Sequence, residues 1–142
     1  IWFADDIMGL KRGWFTQLAS ELQTLGVDLP FKCLSRADLM LRGDTVEALA
    51  NAGCEIIWLG AESGSQKILD AMDKGTKVEE IYEATKRLQA SGIRVAFFLQ
   101  FGYPGETFED IQLTLKMVRE CAPDEIGISV SCLGDYHHTS EM

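Results

Sequence analysis

The stretch Cys54–Gly75, CEIIWLGAESGSQKILDAMDKG, decides the fold. An apolar strand, Glu55 to Leu59, runs into Gly60, Ala61, Glu62, Ser63, Gly64 and Ser65, and a helix carrying Ile68, Leu69 and Met72 follows. A carboxylate and two hydroxyls thus sit where a buried strand ends and the first free amides of a helix begin. In parallel α/β folds that edge is where ligands and chemistry are placed. A structural strand-to-helix turn needs one N-cap residue, which Ser63 or Ser65 supplies. Glu62 is surplus to that need, so the pattern assigns it a ligand role.

Outward from this unit the same step repeats. Five apolar segments, Ile1–Asp5, Phe31–Ser35, Glu55–Leu59, Arg94–Phe101 and Glu125–Ser131, alternate with helical stripes at the spacing of βα units. The stripes are Trp14, Leu18, Leu22 and Leu25; Val46, Leu49 and Ala50; Val78, Ile81, Tyr82, Thr85 and Leu88; and Phe108, Ile111, Leu115 and Val118. Each reads as a core face. Capping boxes are predicted at Asp44-x-x-Glu47, Thr76-x-x-Glu79 and Thr107-x-x-Asp110. Repeated strand–helix steps without a hairpin signal predict five parallel strands in sequential order, joined by right-handed crossovers. No Gly-x-Gly-x-x-Gly follows the first strand, which removes the main support for a dinucleotide fold. A closed eight-fold barrel needs ~250 residues. The expected fold class is therefore α/β, an open or partial TIM-like (β/α) barrel of about five parallel strands.

Composition narrows the function. The 142 residues suit one domain with a real core, and the formal charge is −9. No basic stripe exists to neutralise phosphates, so direct nucleic-acid binding is not expected. No apolar run approaches the ~20 residues of a membrane span. The N-terminus does not read as a signal peptide; it opens on Ile1-Trp2-Phe3-Ala4 in the middle of a strand pattern, as an excised piece of something longer would. Cys33, Cys54, Cys121 and Cys132 form no CxxC pair, so reduced core thiols in a cytoplasmic protein are the expectation.

The polar residues collect at one end of the inferred sheet. Asp5 and Asp6 end the first strand; Ser35, Arg36 and Asp38 the second; Glu62 and Ser63 the third. Gln100, Gly102 and Tyr103 end the fourth, before Pro104, Gly105 and Glu106, and Ser129 and Ser131 end the fifth. Each has a plainer use: Asp5 or Asp6 as a helix cap, Arg36 as a partner of Asp38 or Glu62, Glu106 as a first-turn acid. Strand ends behaving alike point to a concave polar site.

These motifs resemble a known family. Phe3-Ala4-Asp5-Asp6, Cys33-Leu34-Ser35-Arg36-Ala37-Asp38, Gly60-Ala61-Glu62-Ser63-Gly64-Ser65 and Gly102-Tyr103-Pro104-Gly105-Glu106-Thr107, with Ile68-Leu69, Met72 and Lys74-Gly75 between them, resemble successive strand-end motifs of radical S-adenosylmethionine enzymes. The resemblance is to the branch that often carries an N-terminal cobalamin-binding domain, and it covers residues 1–131. It implies the C-terminal part of a (β/α)6 partial barrel, with 132–142 a tail that departs from the pattern. It implies a parent that cleaves S-adenosylmethionine reductively to a 5′-deoxyadenosyl radical on a [4Fe-4S] cluster, with cobalamin a further implied cofactor. It implies that Asp5 and Asp6 meet the cofactor ammonium and Arg36 its carboxylate or a substrate anion. Glu62 and Ser63 fall near the ribose and carboxylate, and Gln100, Phe101 and Gly102 near the adenine. The Cys-x3-Cys-x2-Cys that would hold the cluster is absent, and His137-His138 reads as a solvated tail. The chain is thus expected to be a cofactor-binding shell without a metal centre of its own, inactive alone. Its partners are a small-molecule cofactor and substrate, and a second copy of itself across unprotected sheet edges. Two rival readings are a Mg²⁺-dependent barrel lyase or hydrolase using Asp5, Asp6, Glu62 and Glu106, and a non-catalytic scaffold.

Overall fold

Strand and helix alternate as the periodicity requires. The computed structural model describes residues 1–131; Cys132 and the His137-His138 pair lie outside the described residues. In chain order the elements are α1 (Trp14–Thr24), β1 (Phe31–Ser35), α2 (Ala37–Met40), α3 (Thr45–Ala52), β2 (Cys54–Glu62), α4 (Gln66–Ala71), α5 (Val78–Ala90), β3 (Arg94–Phe101), α6 (Phe108–Cys121) and β4 (Glu125–Val130). The sheet runs β1-β2-β3-β4, every pair parallel.

The expectation of five strands is corrected to four. Ile1–Asp5 contributes one parallel bridge, Trp2 opposite Lys32. The Phe3 N–H donates to the Lys32 carbonyl (2.9 Å) and the Lys32 N–H to the Ile1 carbonyl (2.8 Å). The segment has a partner on one side only, and Asp5 and Asp6 stay exposed. Only its apolar half is held against β1. β2, by contrast, is longer than the predicted Glu55–Leu59, because a register shift between Gly60 and Glu62 lets pairing with β3 continue to Glu62.

Period-two alternation sorts the side chains. Phe31 and Cys33, Ile57 and Leu59, and Val95, Phe97 and Leu99 face the helices and pack with Leu49, Ile81, Leu88 and Met117 in one core. Each such large side chain contributes roughly 1.5–3 kcal/mol relative to exposure. The remaining positions form the inner face of the partial barrel.

The helices follow the predicted stripes unevenly. Along α1 the fully buried residues are Phe15 and Ala19; Trp14, Leu18 and Leu22 pack beside them, and Leu25 is exposed. α5 opens at Lys77 rather than Thr76, because Glu80 accepts the Lys77 N–H (2.8 Å). Asp44 makes no side-chain cap on α3. The box at Thr107 forms as predicted, its N–H donating to Asp110 (2.8 Å). α6 differs most. Its buried face is Asp110, Thr114, Met117 and Cys121, whereas Phe108 and Leu115 of the predicted stripe are 67% and 45% exposed. The reason lies in the loop after β2, whose buried polar groups need partners from this helix.

Candidate functional site

The Ala61–Ser65 turn is clamped onto α6. Glu62 sits in left-handed backbone conformation (φ 60°), a region that disfavours residues other than glycine. Its Ser63 neighbour is fully buried. The Thr114 hydroxyl donates to the Asp110 carbonyl (3.2 Å) and accepts the Gly64 N–H (2.9 Å), so Ser63, 3.2 Å away, donates to it. Ser63 Oγ in turn accepts the Ser65 N–H (3.1 Å). The Ser65 hydroxyl donates to Asp110 Oδ1 (2.7 Å), and Lys67 Nζ lies 2.6 Å from Oδ2. The Ser63, Ser65 and Thr114 hydroxyls and the Gly64 and Ser65 N–H groups of this buried turn all have partners, as burial demands.

The Asp110 carboxyl is held well below its ordinary value of 3.8, first by Lys67, then by Ser65 and the Thr107 N–H. A depressed folded-state value places its stabilisation above the ordinary carboxylate range, to be lost as pH falls below about 4. Asp110→Asn is therefore expected to melt several degrees lower at pH 7, with the gap to the wild type closing as pH falls from about 4 to 2. Thermal melts across that range check it; a gap independent of pH would contradict it.

With the turn fixed, the strand ends converge. A cavity of about 540 Å³ at the C-terminal edge of the sheet is lined by Asp6, Arg36, Glu62, Lys74, Gln100 and Ser129 around its rim, with Trp58 and Phe98 on its floor. Lys74 Nζ lies 3.3 Å from Glu62 Oε1, and both are partly exposed to the cavity side. Arg36 Nε donates to Asp38 Oδ1 (2.9 Å) and Nη2 to the Lys74 carbonyl (3.0 Å), which aims the guanidinium across the rim. Gln100 Nε2 donates to Ser131 Oγ (2.6 Å). Asp6 enters no ion pair among the described residues. A smaller cavity of about 330 Å³, between the starts of α1 and α3, holds none of the residues predicted for the site.

Of the seven predicted residues, the structure brings Asp6, Arg36, Glu62 and Gln100 together. Asp5 is exposed and outside the cavity lining. Ser63 turns away into α6, so it acts on the cavity only through the turn. Gly102 lies beyond the lining, and its N–H is taken by Glu106 Oε2 (2.7 Å). Glu106 thus closes its own loop, and Asp5, Asp6, Glu62 and Glu106 are not gathered into one cluster of oxygen ligands among the described residues. Sequence reasoning passed over Trp58 and Phe98. For Phe98 the signal was present, because it stands two positions before Gln100 and period two puts both on one face; between Trp58 and Glu62 the register shift breaks that count.

The sequence profile of the Radical SAM superfamily matches residues 15–118. The chain belongs to that superfamily. A tRNA-2-methylthio-N(6)-dimethylallyladenosine synthase of Methylacidiphilum infernorum is 30% identical over 134 residues, 85% of this chain and 29% of that protein. An uncharacterized methyltransferase of Pyrococcus horikoshii is 25% identical over 118 residues, 83% of this chain and 26% of that protein. The radical S-adenosylmethionine methyltransferase TsrM of Kitasatospora setae, solved with cobalamin and a [4Fe-4S] cluster, superimposes with a TM-score of 0.74 at 18% identity, covering 91% of this chain and 25% of that one. The fold is thus that of a radical SAM partial barrel, and the chain spans 16–29% of the length of the curated relatives it matches.

The cysteines of this radical SAM chain do not fit an iron–sulfur cluster. Cys33, Cys54 and Cys121 are buried free thiols in β1, β2 and α6. The Cys33 thiol is pushed far up by the neighbouring Cys54 thiol and by burial, and that of Cys121 up to about 11, chiefly by burial. Both shifts oppose the thiolate a cluster needs. No group of three His, Cys, Asp or Glu that could hold a metal occurs among the described residues. No helix of the described residues is long and apolar enough to cross a membrane.

Proposed function

We propose that residues 1–131 form the S-adenosylmethionine-binding shell of a radical methyltransferase or methylthiotransferase whose cluster is held outside these residues. The observation that carries this reading is the convergence on one cavity of Asp6, from the N-terminal segment, with Arg36, Glu62 and Gln100, from the ends of β1, β2 and β3. The zwitterionic end of the cofactor needs an anion for its ammonium and a cation for its carboxylate. Asp6 and Arg36 are those groups, Arg36 by its fork. Glu62 accepts from the ribose hydroxyls, and the Gln100 amide meets the adenine edge. No chemical step is assigned to Cys33, Cys54 or Cys121. A cytoplasmic location goes with their reduced state.

The relative from Methylacidiphilum infernorum is named for a tRNA product, but the net charge of −9 gives no support to direct nucleic-acid binding by this chain. The scaffold reading is separated from ours by calorimetry with S-adenosylhomocysteine, which carries the same recognition groups without the sulfonium. We expect binding to the 142-residue chain, weakened about 10- to 150-fold by Asp6→Asn or Arg36→Met, the worth of one charge-assisted hydrogen bond. No binding, or equal binding by both variants, would favour the scaffold.

Self-association belongs to the same proposal. β4 exposes Ile126, Ile128 and Val130 (43%, 65% and 66%), and Ile1 and Trp2 are exposed at the opposite edge. Open edges with apolar flanks recruit partners. Light scattering over a concentration series is expected to show a dimer or larger species that Ile128→Lys converts to monomer. A monomer throughout would refute it.

A further inference from the structure

Trp58 and Phe98 are stacked on the inner face of the sheet, with ring centroids 4.5 Å apart and planes inclined by 32°. Trp2 extends the row at 6.1 Å from Trp58. In register, Trp58 stands opposite Ala96, and Phe98 opposite Gly60 and Gly127. Large rings beside the smallest residues have room to lie down. A Cβ at Gly127 would stand 2.9 Å from Phe98 Cδ1 and Cε1 and 3.1 Å from Trp58 Cζ3, so both rings lie over the bare backbone of β4. A ring lying over the sheet turns its other face to the cavity, which both residues line.

Simple filling does not account for this choice. Barrel interiors are filled mainly by branched aliphatic side chains. The Trp58 Nε1–H is buried without a hydrogen-bond partner, an unfavourable state that leucine or phenylalanine would avoid. The polar groups sit higher. Trp58 precedes Glu62 by four positions and Phe98 precedes Gln100 by two, so the aromatic floor lies deeper along the strands than the rim groups.

We infer that the Trp58–Phe98 floor stacks a planar aromatic or heteroaromatic ring of the substrate, beneath the cofactor. The term substrate rests on the function proposed above; the stacking rests on the floor alone. Adenine is the other flat ring that could reach it, and the test separates the two.

Indole, a neutral planar probe, is titrated into the ¹⁵N-labelled chain with and without saturating S-adenosylhomocysteine. The expected result is a shift of the Trp58 and Phe98 resonances in both titrations. Trp58→Leu and Phe98→Leu keep an apolar side chain and remove the flat face. Each is expected to lose about 5- to 150-fold in indole affinity, the effect of one stacked ring, with S-adenosylhomocysteine affinity unchanged. Gly127→Ala, which crowds the rings from outside the floor, is expected to weaken indole in the same direction and covers the case in which a leucine variant does not fold. Indole binding that survives in every folded variant would overturn the inference. Displacement of indole by S-adenosylhomocysteine would also overturn it, by giving the floor to adenine. Indole binding to a chain that ignores S-adenosylhomocysteine would uphold the floor while removing the cofactor reading.

Discussion

Replacing Gly64 by alanine is expected to destabilise the protein by about 3 kcal/mol, the upper end for overpacking, and to lower its melting midpoint by roughly 10 °C. The added Cβ would stand 2.4 Å from the Leu113 carbonyl oxygen and 2.7 Å from Thr114 Cα. Both are helical backbone, which cannot rotate aside as a side chain can. The clash also pulls the Gly64 N–H off Thr114 and loosens the buried turn. Gly60→Ala is the control, since a Cβ there meets only Glu62 Oε1 at 3.4 Å. Thermal melts of the two variants decide the matter. A Gly64→Ala protein melting within a degree of the wild type would show that α6 does not clamp the turn.

Glu62→Gly is expected to separate stability from binding. The left-handed conformation at 62 costs a residue other than glycine about 1–2 kcal/mol, which the variant relieves. It loses an ion pair with a half-exposed lysine, a contribution of about 0–1 kcal/mol. It also gains about 0.5–1 kcal/mol of unfolded-state freedom. These nearly cancel, so the midpoint should move by only a few degrees. Affinity for S-adenosylhomocysteine, by contrast, should fall at least about 10-fold with the loss of a carboxylate acceptor. Strain held at a site while the fold tolerates its removal is the pattern expected of a functional residue. Parallel loss of both properties would make Glu62 a structural residue.

How far the sequence could be read follows from which forces are local. The strands were legible because a buried parallel strand is a nearly continuous apolar run, and Asp6, Arg36, Glu62 and Gln100 because each ends such a run. What failed depended on contacts between distant segments. α6 was assigned the face of Phe108 and Leu115, since hydrophobic period is the only cue a lone helix offers. Its true inner face is set by Ser63 and Ser65, some 45–51 residues away, whose hydroxyls need Asp110 and Thr114. The same network explains Ser63, which looked like a ligand beside Glu62 and is instead a buried brace. Asp5 and Asp6 were equivalent in sequence; both are exposed, and only Asp6 lines the cavity. Trp58 and Phe98 were passed over because apolar residues within a strand carry no sign of which face they line. The glycine over which both rings lie, Gly127, is on another strand.

The central claim is that three strand ends and the N-terminal segment build one cofactor site, and a ¹H–¹⁵N correlation map of the chain titrated with S-adenosylhomocysteine tests it most directly. The account predicts saturable shifts concentrated at Asp6, Arg36, Glu62 and Gln100, with the α1–α3 cavity around Lys11 and Arg42 unaffected. Shifts centred on Lys11 and Arg42, or none at saturating ligand, would contradict it.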